Sequence, residues 1–413
     1  MVKLKGFQKL TSPDQALTNW LSTLQIGKPK EETAPLAQAL GRVLAEDLIA
    51  KEDLPRFDKS AVDGYALKSS DLAGASQFKP KILQLTETEV STKQTKQVWT
   101  GNPIPKGADA VIMLEHTKKH NNSTLEVWSQ LAPGDNISKE GEDTKQGNAP
   151  VKAQTRLNPY HLGLAAALGY VQLAVAQQPK IALLTTGNEI AEIGKHRKEN
   201  QIYDSNKTMI SAMCHELGAQ TTDLGIAKDN LEEISQKIQK ALETHDAVIT
   251  TGGTSVGGLD LVPDAVNKLG KPGVIAHGMA LRPAMPTGLA AIDGKPVLIL
   301  SGNPVAAVIG FEVFGRPLIS RMLGMNQTEP RPIVKAKLSK RIASALGRKT
   351  YVRVKVTEEN GELLAEPVSA KGSGAITTMT QSNGYVIVPE NREGISEGEI
   401  VTVQMFSNLE DAT

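Results

Sequence analysis

Ala247-Val248-Ile249-Thr250-Thr251-Gly252-Gly253-Thr254-Ser255-Val256-Gly257-Gly258-Leu259-Asp260 is a short apolar, β-branched run that enters a loop with four glycines. A buried strand that stops abruptly at glycines is the pattern of a parallel sheet, whose strands are apolar on both faces. The same pattern recurs on either side. Lys180–Thr186 is an apolar run followed by Gly187-Asn188-Glu189, and residues 297–300 are followed by Ser301-Gly302-Asn303-Pro304. Between them, residues 209–217 and 231–243 carry apolar positions at helical spacing, residues 219–225 suit a strand, and an apolar helix runs through Phe311 and Phe314. This alternation predicts a doubly wound α/β domain over residues 179–325.

Outward from this block the pattern changes twice. After Pro330 the helical period stops. Residues 333–338, 351–356, 363–367, 385–388 and 400–406 suit strands, and Asn360-Gly361 and Asn383-Gly384 are hairpin signals. Residues 326–413 are therefore expected to form a small all-β sandwich or barrel. Toward the N-terminus, residues 51–150 hold short β-favouring runs at 65–67, 81–85, 110–114 and 124–128, separated by Gly, Pro, Asp and Asn clusters. That is a small β-rich module. Before it, Thr11-Ser12-Pro13-Asp14 marks a helix start, Ala16, Leu17, Trp20, Leu21 and Leu24 fall on one face, and Gly27 ends the helix. A second helix is expected from Ala34-Pro35 through Leu44, and a third opens at Asn158-Pro159 and closes at Gly169. Residues 1–50 and 151–178 are expected to form one discontinuous helical domain.

Composition narrows the function. The 413 residues suit roughly two to four domains. A formal net charge of +1 gives no basic excess for nucleic acid, and six Phe, three Trp and six Tyr are few for base stacking. The one cysteine, Cys214, excludes an internal disulfide and any Cys-based zinc or iron–sulfur site, and its neighbours place it on a buried helix face. His116 and His120 have i, i+4 spacing but lie in a Lys- and Asn-rich turn, which is a surface loop rather than a ligand pair. No signal-peptide core and no membrane-length apolar run is present, so a soluble, cytoplasmic protein without membrane contact is expected.

The chemistry is expected where the three Gly loops converge, because ligands of parallel sheets bind outside the carboxyl ends of the strands. Backbone N–H groups of such loops, helped by helix N-termini, suit a phosphate-bearing ligand. The Walker lysine and the dinucleotide fingerprint are both missing. Glu189, Asp204, Asp229 and Asp260 recur beside the loops, and carboxylates near phosphate suit Mg²⁺. Asp204 and Asp229 also stand where helix caps are expected.

Seven segments in this order resemble the MoeA-type molybdopterin molybdenumtransferases, related to the E domain of gephyrin: residues 57–66, 100–110, Gly141-Glu142-Asp143, 186–190, Ile202-Tyr203-Asp204-Ser205-Asn206, 252–260 and Gly302-Asn303-Pro304-Val305. The resemblance spans essentially the whole chain. It implies a four-part, elongated homodimer whose α/β domain is similar to molybdopterin adenylyltransferases and whose last part is a β-barrel. It implies an active site shared between the α/β domain of one subunit and the β-rich module of the other. The implied reaction inserts molybdate into adenylylated molybdopterin with Mg²⁺, releasing AMP, and a transient contact with a molybdopterin adenylyltransferase is a further implied partner.

By motif match the catalytic residues would be Asp260, Glu189, Asp229 and Asp63, with Asp260, Asp229 and Glu189 holding the metal. Thr100, Asp143, Gly252, Gly253, Ser255, Gly257, Arg282, Ser301, Asn303 and Pro304 would bind substrate, and Arg348 or Arg353 would bring charge from the last domain. The chain departs from the family at Arg282-Pro283-Ala284-Met285-Pro286, where Lys-Pro-Gly-Lys-Pro is usual, and at Ala306, where a serine is usual. Arg is not equivalent to Lys at an anion site, and Met285 supplies no charge. A tungstate preference, or a weaker oxyanion site compensated elsewhere, is the expectation these departures raise. Two other readings stay open on sequence: an adenylyltransferase using ATP, and a non-catalytic gephyrin-like scaffold.

Overall fold

The computed structural model describes residues 10–254, 261–328, 330–368 and 372–408. They divide into two compact units. The larger takes residues 1–32, 41–43 and 175–413, the smaller residues 33–40 and 44–174.

The larger unit is built on a six-stranded sheet in the order 220–227, 180–186, 247–251, 295–300, 288–292, 272–277. The first four strands are parallel, as the alternation predicts. Gly288–Ile292 runs antiparallel to both its neighbours, Lys295–Leu300 and Pro272–His277, so the sheet is mixed and the wholly parallel expectation is corrected. The cause is local. Asp293 and Gly294 both take positive φ, 50° and 80°, and form a two-residue hairpin that pairs Ile292 with Lys295.

Separate apolar clusters cover the two faces of this sheet. On one side Ile234, Ile238 and Ala241 of the helix Leu231–Thr244 pack with Val262, Ala265 and Val266. On the other, Ile210 and Cys214 of the helix Ser205–Glu216 pack with Phe311, Phe314 and Trp20. Trp20 lies on the helix Pro13–Thr23, is fully buried, and donates its indole N–H to Ala290 O at 2.7 Å.

The C-terminal strands Ile333–Leu338, Lys349–Glu359, Glu362–Pro367, Gly384–Val388 and Ile400–Met405 close on themselves, because Lys349–Glu359 pairs with both Glu362–Pro367 and Gly384–Val388. This five-stranded barrel has its own core, with Val354, Val356, Val386 and Val403 buried. Asn360-Gly361 is a hairpin turn, with φ of 52° and 80°. Asn383-Gly384 is not. Asn383 is fully buried, its Oδ1 accepts from Val356 N at 2.8 Å and its Nδ2 donates to Val356 O at 2.9 Å, so the amide acts as an extra ladder rung.

The smaller unit holds a six-stranded sheet in the order 110–113, 64–67, 94–98, 81–85, 124–127, 117–119. Leu67, Leu83, Ile112, Leu125 and Val127 form its core. The helix Pro159–Ala167 is opened by Asn158, whose side chain accepts from His161 N while His161 accepts from Asn158 N. The helix expected from Ala34 to Leu44 does not form. Glu31–Pro35 is a strand and Leu36–Gln38 a single 3₁₀ turn. Leu36 N bonds to Val171 O, and Gly41 at φ 73° breaks any helical continuation. The apolar residues that suggested a helix, Ala39, Val43 and Leu44, are buried all the same.

Candidate functional site

Thr185 pairs with Thr251, and Thr251 with Leu300, so three parallel strands end at one level. The loops that follow line one cavity of about 650 Å³. Glu189, Gly252, Gly253, Ser301, Asn303 and Pro304, all expected at the site, line it together. The glycines are required by close approach. A Cβ on Gly252 would lie 2.5 Å from Thr186 O, and one on Gly253 2.6 Å from a Val262 methyl, while both residues hold φ near the left-handed region, 86° and 66°.

Asp204 caps the helix Ser205–Glu216, accepting from Lys207 N at 3.1 Å. Asp229 does not cap its helix. Asn230 does, accepting from Glu233 N at 2.9 Å, and Asp229 Oδ2 instead accepts from Asn188 N at 3.2 Å. Asp229 is thus tied to the loop that carries Glu189, although it is not among the residues that line the cavity. Ser255, Gly257 and Asp260 lie outside the described residues.

A second cavity, of about 720 Å³, shares Pro286, Ser301 and Asn303 with the first. Arg282, Met285 and Ala306 line one side, and Lys340, Arg341, Arg348 and Arg353 of the barrel the other. No Asp or Glu is among its described lining residues, so the cavity is strongly positive. Its frame is backbone: Leu281–Arg282 adds to the barrel as a short parallel strand, placing Arg282 opposite Thr350. Lys340 is paired with Glu366 at 2.5 Å. Arg353 is different. It is 9% exposed, its Nε is buried with no hydrogen-bond partner among the described residues, and burial holds its guanidinium below the usual arginine range. A buried cation without a full set of partners is costly unless an anion arrives. Both arginines named in the sequence reading reach the cavity, and Arg353 is the buried one.

In the smaller unit, Asp63 and Thr100 are brought together. Asp63 Oδ1 accepts the Thr100 N–H and the Thr100 hydroxyl, each at 2.8 Å, and these bonds hold its carboxyl below the usual aspartate range. The neighbouring loops are stitched to the same place. Lys59–Ser60 pairs with Ile137–Ser138, Asp58 accepts from Lys139 Nζ at 2.8 Å, and Asp143 N donates to Leu54 O. Asp143 is exposed there.

Sequence reasoning missed Thr185, Thr186 and Thr251 as lining residues, and Lys340 and Arg341 in the basic cavity. The repeated Thr-Thr-Gly at 185–187 and 250–252 was the available signal for the threonines. Nothing in the local sequence marks the two basic residues, which reach the cavity through barrel closure. Cys214 is fully buried, and burial pushes its thiol up to about 12, which removes it as a nucleophile.

The chain matches the MoeA N-terminal region (domain I and II) over residues 11–169, a probable molybdopterin binding domain over 182–321, and the MoeA C-terminal region (domain IV) over 335–406. It is 36% identical to a putative molybdopterin biosynthesis protein of Methanocaldococcus jannaschii, over 98% of this chain and all of that one. It is 34% identical to a molybdopterin molybdenumtransferase of Staphylococcus aureus, over 90% of each chain. The crystal structure of the molybdopterin biosynthesis MoeA protein from Pyrococcus horikoshii superimposes with a TM-score of 0.82 at 31% identity, covering 96% of this chain and all of that one. Identity at this level along the full length, with all three domain matches in order, places the chain in the MoeA family of molybdopterin biosynthesis proteins.

Proposed function

We propose that this protein is a molybdopterin molybdenumtransferase, which inserts molybdate into adenylylated molybdopterin and releases AMP in molybdenum cofactor biosynthesis. The observation that carries the reading is the shared wall at Pro286, Ser301 and Asn303, which sets a Gly-loop cavity against a basic one with no carboxylate among its described lining residues. The first suits the phosphoanhydride and its heterocycles, the second a tetrahedral dianion. Their contact puts the incoming metal oxyanion beside the substrate it must enter.

Mg²⁺ belongs to this proposal. Among the described residues no three His, Cys, Asp or Glu side chains gather as a metal cage. Mg²⁺ commonly takes only one or two carboxylates plus substrate phosphates, and Glu189 in the cavity fits that role. Glu189, Asp229 and Asp260 would hold it, and when bound it would neutralise charge developing on the anhydride oxygens. The loop N–H groups at 252–253 orient the phosphates. Arg282 and Arg353 bind the oxyanion, with Ser301 and Asn303 between the two ligands. Asp63, Thr100 and Asp143 are proposed to serve the same reaction within a homodimer. The division into a discontinuous helical part, a β-rich module, an α/β domain and a barrel is proposed as the working architecture.

Single-turnover conversion of adenylylated molybdopterin with Mg²⁺, with and without molybdate, tests the reading by AMP release. Molybdate-dependent release that is lost in Glu189→Gln and Asp260→Ala is the expected result. Nucleotide binding without AMP release under any oxyanion would overturn it. Mixing Asp63→Asn with Glu189→Gln tests the dimer: recovered turnover is expected if the two residues act together across subunits.

A further inference from the structure

We propose that the wall formed by Thr251 and Asn206 in the Gly-loop cavity is a hydrogen-bond-acceptor subsite that reads an exocyclic amino group of a fused heterocycle, and not a phosphate. The proposal rests on the reading of this cavity as the substrate site.

The argument begins at Asp204, which is 4% exposed and receives three donors. Thr185 Oγ1 donates to its Oδ2 at 2.6 Å, Lys207 N donates to Oδ1 at 3.1 Å, and the Lys207 ammonium lies 3.3 Å from Oδ2. A carboxylate only accepts, so the single Thr185 hydroxyl proton is committed to it. Thr185 Oγ1 can then only accept from its other neighbour. Thr251 Oγ1 donates to it at 3.3 Å. The Thr251 proton is therefore spent inward as well. What remains on Thr251 is lone pairs, and among the described residues no donor reaches them.

Asn206 arrives at the same condition by another route. Its Nδ2 donates to Gly302 O at 2.8 Å, which fixes the orientation of the amide. Its Oδ1 is buried and has no donor among the described residues. Both residues line the cavity, and both are more than nine-tenths buried. A buried acceptor in want of a donor, as Asn206 Oδ1 is, is costly until one is supplied, and Thr251, its proton already spent, has only lone pairs to add beside it. An ionised phosphate or oxyanion has only acceptors and would face the Asp204 charge behind the wall. An amino group on a heterocycle has two N–H donors and no charge. The direction of the hydroxyl chain, set by one buried carboxylate, thus assigns this wall to the ring end of the ligand.

Two ring systems offer such a group, and paired probes separate them. Pterin and lumazine differ in an amino against an oxo group, as do AMP and IMP. Binding of all four to the full chain is measured by ligand-observed NMR. The expected result is a preference of about tenfold or more for the amino member of one pair, since a site built around a hydrogen bond rejects the analogue that lacks it. In Thr251→Val that preference should fall to within about threefold. Asp204→Asn keeps an equally good helix cap but presents an N–H₂ to Thr185, reversing the hydroxyl chain, and should shift the preference toward the oxo member. Thermal melts establish that both variants are folded. Wild-type protein that binds pterin with lumazine, and AMP with IMP, equally well overturns the subsite while leaving the cavity reading intact. A preference unchanged in Thr251→Val also overturns it. Binding of none of the four overturns the subsite and the cavity reading together.

Discussion

Asp63 and Thr100, 37 residues apart, meet through two hydrogen bonds of 2.8 Å to a single carboxylate oxygen. One comes from the Thr100 amide and one from its hydroxyl, and the amide bond is the larger cause of the lowered carboxyl pKa. The fold therefore favours the ionised form. That preference is complete above the ordinary aspartate range and is lost as the pH falls through the lowered value. Thr100→Val removes the hydroxyl and keeps the amide. Its Asp63 should titrate above the wild-type value and still below an unperturbed aspartate, with no difference at neutral pH. Carboxyl ¹³C titration of both proteins measures this, and coincident curves would show that the hydroxyl contributes nothing.

Cys214 gives a second expectation. With the thiol pushed up to about 12 and the side chain fully buried, the thiolate is absent at neutral pH. A thiol reagent at pH 8 should label the native protein only as fast as the chain opens, and labelling should accelerate with denaturant. Cys214→Ala should keep full AMP release and lose on the order of 1 kcal/mol of stability from the smaller core side chain. Rapid labelling in the absence of denaturant would contradict the burial.

These two cases mark what could be seen in the sequence. Cys214 sits at helical spacing with Ile210, so its burial follows from local period. Most of the parallel and barrel strands were legible for a related reason, as apolar or alternating runs between turn residues; 220–227, Gln-Thr-Thr-Asp-Leu-Gly-Ile-Ala, is polar and was marked only by its place in the strand–helix alternation. The Asn383 bridge was not, because Asn-Gly is a turn signal unless a strand edge elsewhere takes the amide, and Val356 is 27 residues away. The antiparallel pairing of 288–292 with 295–300 has a local signal, since Asp293-Gly294 between them is a hairpin turn, whereas the pairing of 272–277 with 288–292 has none. Within the site, the Gly loops and Glu189 announced themselves by pattern. The acceptor state of Thr251 did not, because it depends on where Asp204 lies in space, 47 residues earlier in the chain.

Met285 is an uncharged side chain in a cavity lined by Arg282, Lys340, Arg341, Arg348 and Arg353. Met285→Lys adds a cation where a thioether stands, and should tighten oxyanion binding by about tenfold at low salt, with the gain shrinking as ionic strength rises. Calorimetric titration with molybdate and with tungstate at two salt concentrations measures it. In the wild-type protein tungstate should displace molybdate in direct competition. Clear molybdate selectivity would remove the expectation raised by the loss of the second lysine.

Arg353 separates stability from binding. The residue is 9% exposed and its Nε has no partner among the described residues, so the free protein carries an incompletely satisfied buried cation. Arg353→Met keeps an apolar side chain of similar length and removes the buried charge. Removing a buried charge that lacks a full set of partners relieves its desolvation penalty. The variant should therefore melt at the same temperature as wild type or higher, while its affinity for molybdate falls by about tenfold or more, because a charge-assisted hydrogen-bond donor is gone. Arg348→Met, at a half-buried position on the same cavity, should weaken the oxyanion less and leave the melting temperature where it was. Thermal melts and molybdate calorimetry on both variants decide the matter. A destabilised Arg353→Met would mean that the guanidinium is holding the barrel together. Unchanged molybdate affinity in that variant would mean that the anion binds elsewhere than beside this incompletely partnered cation.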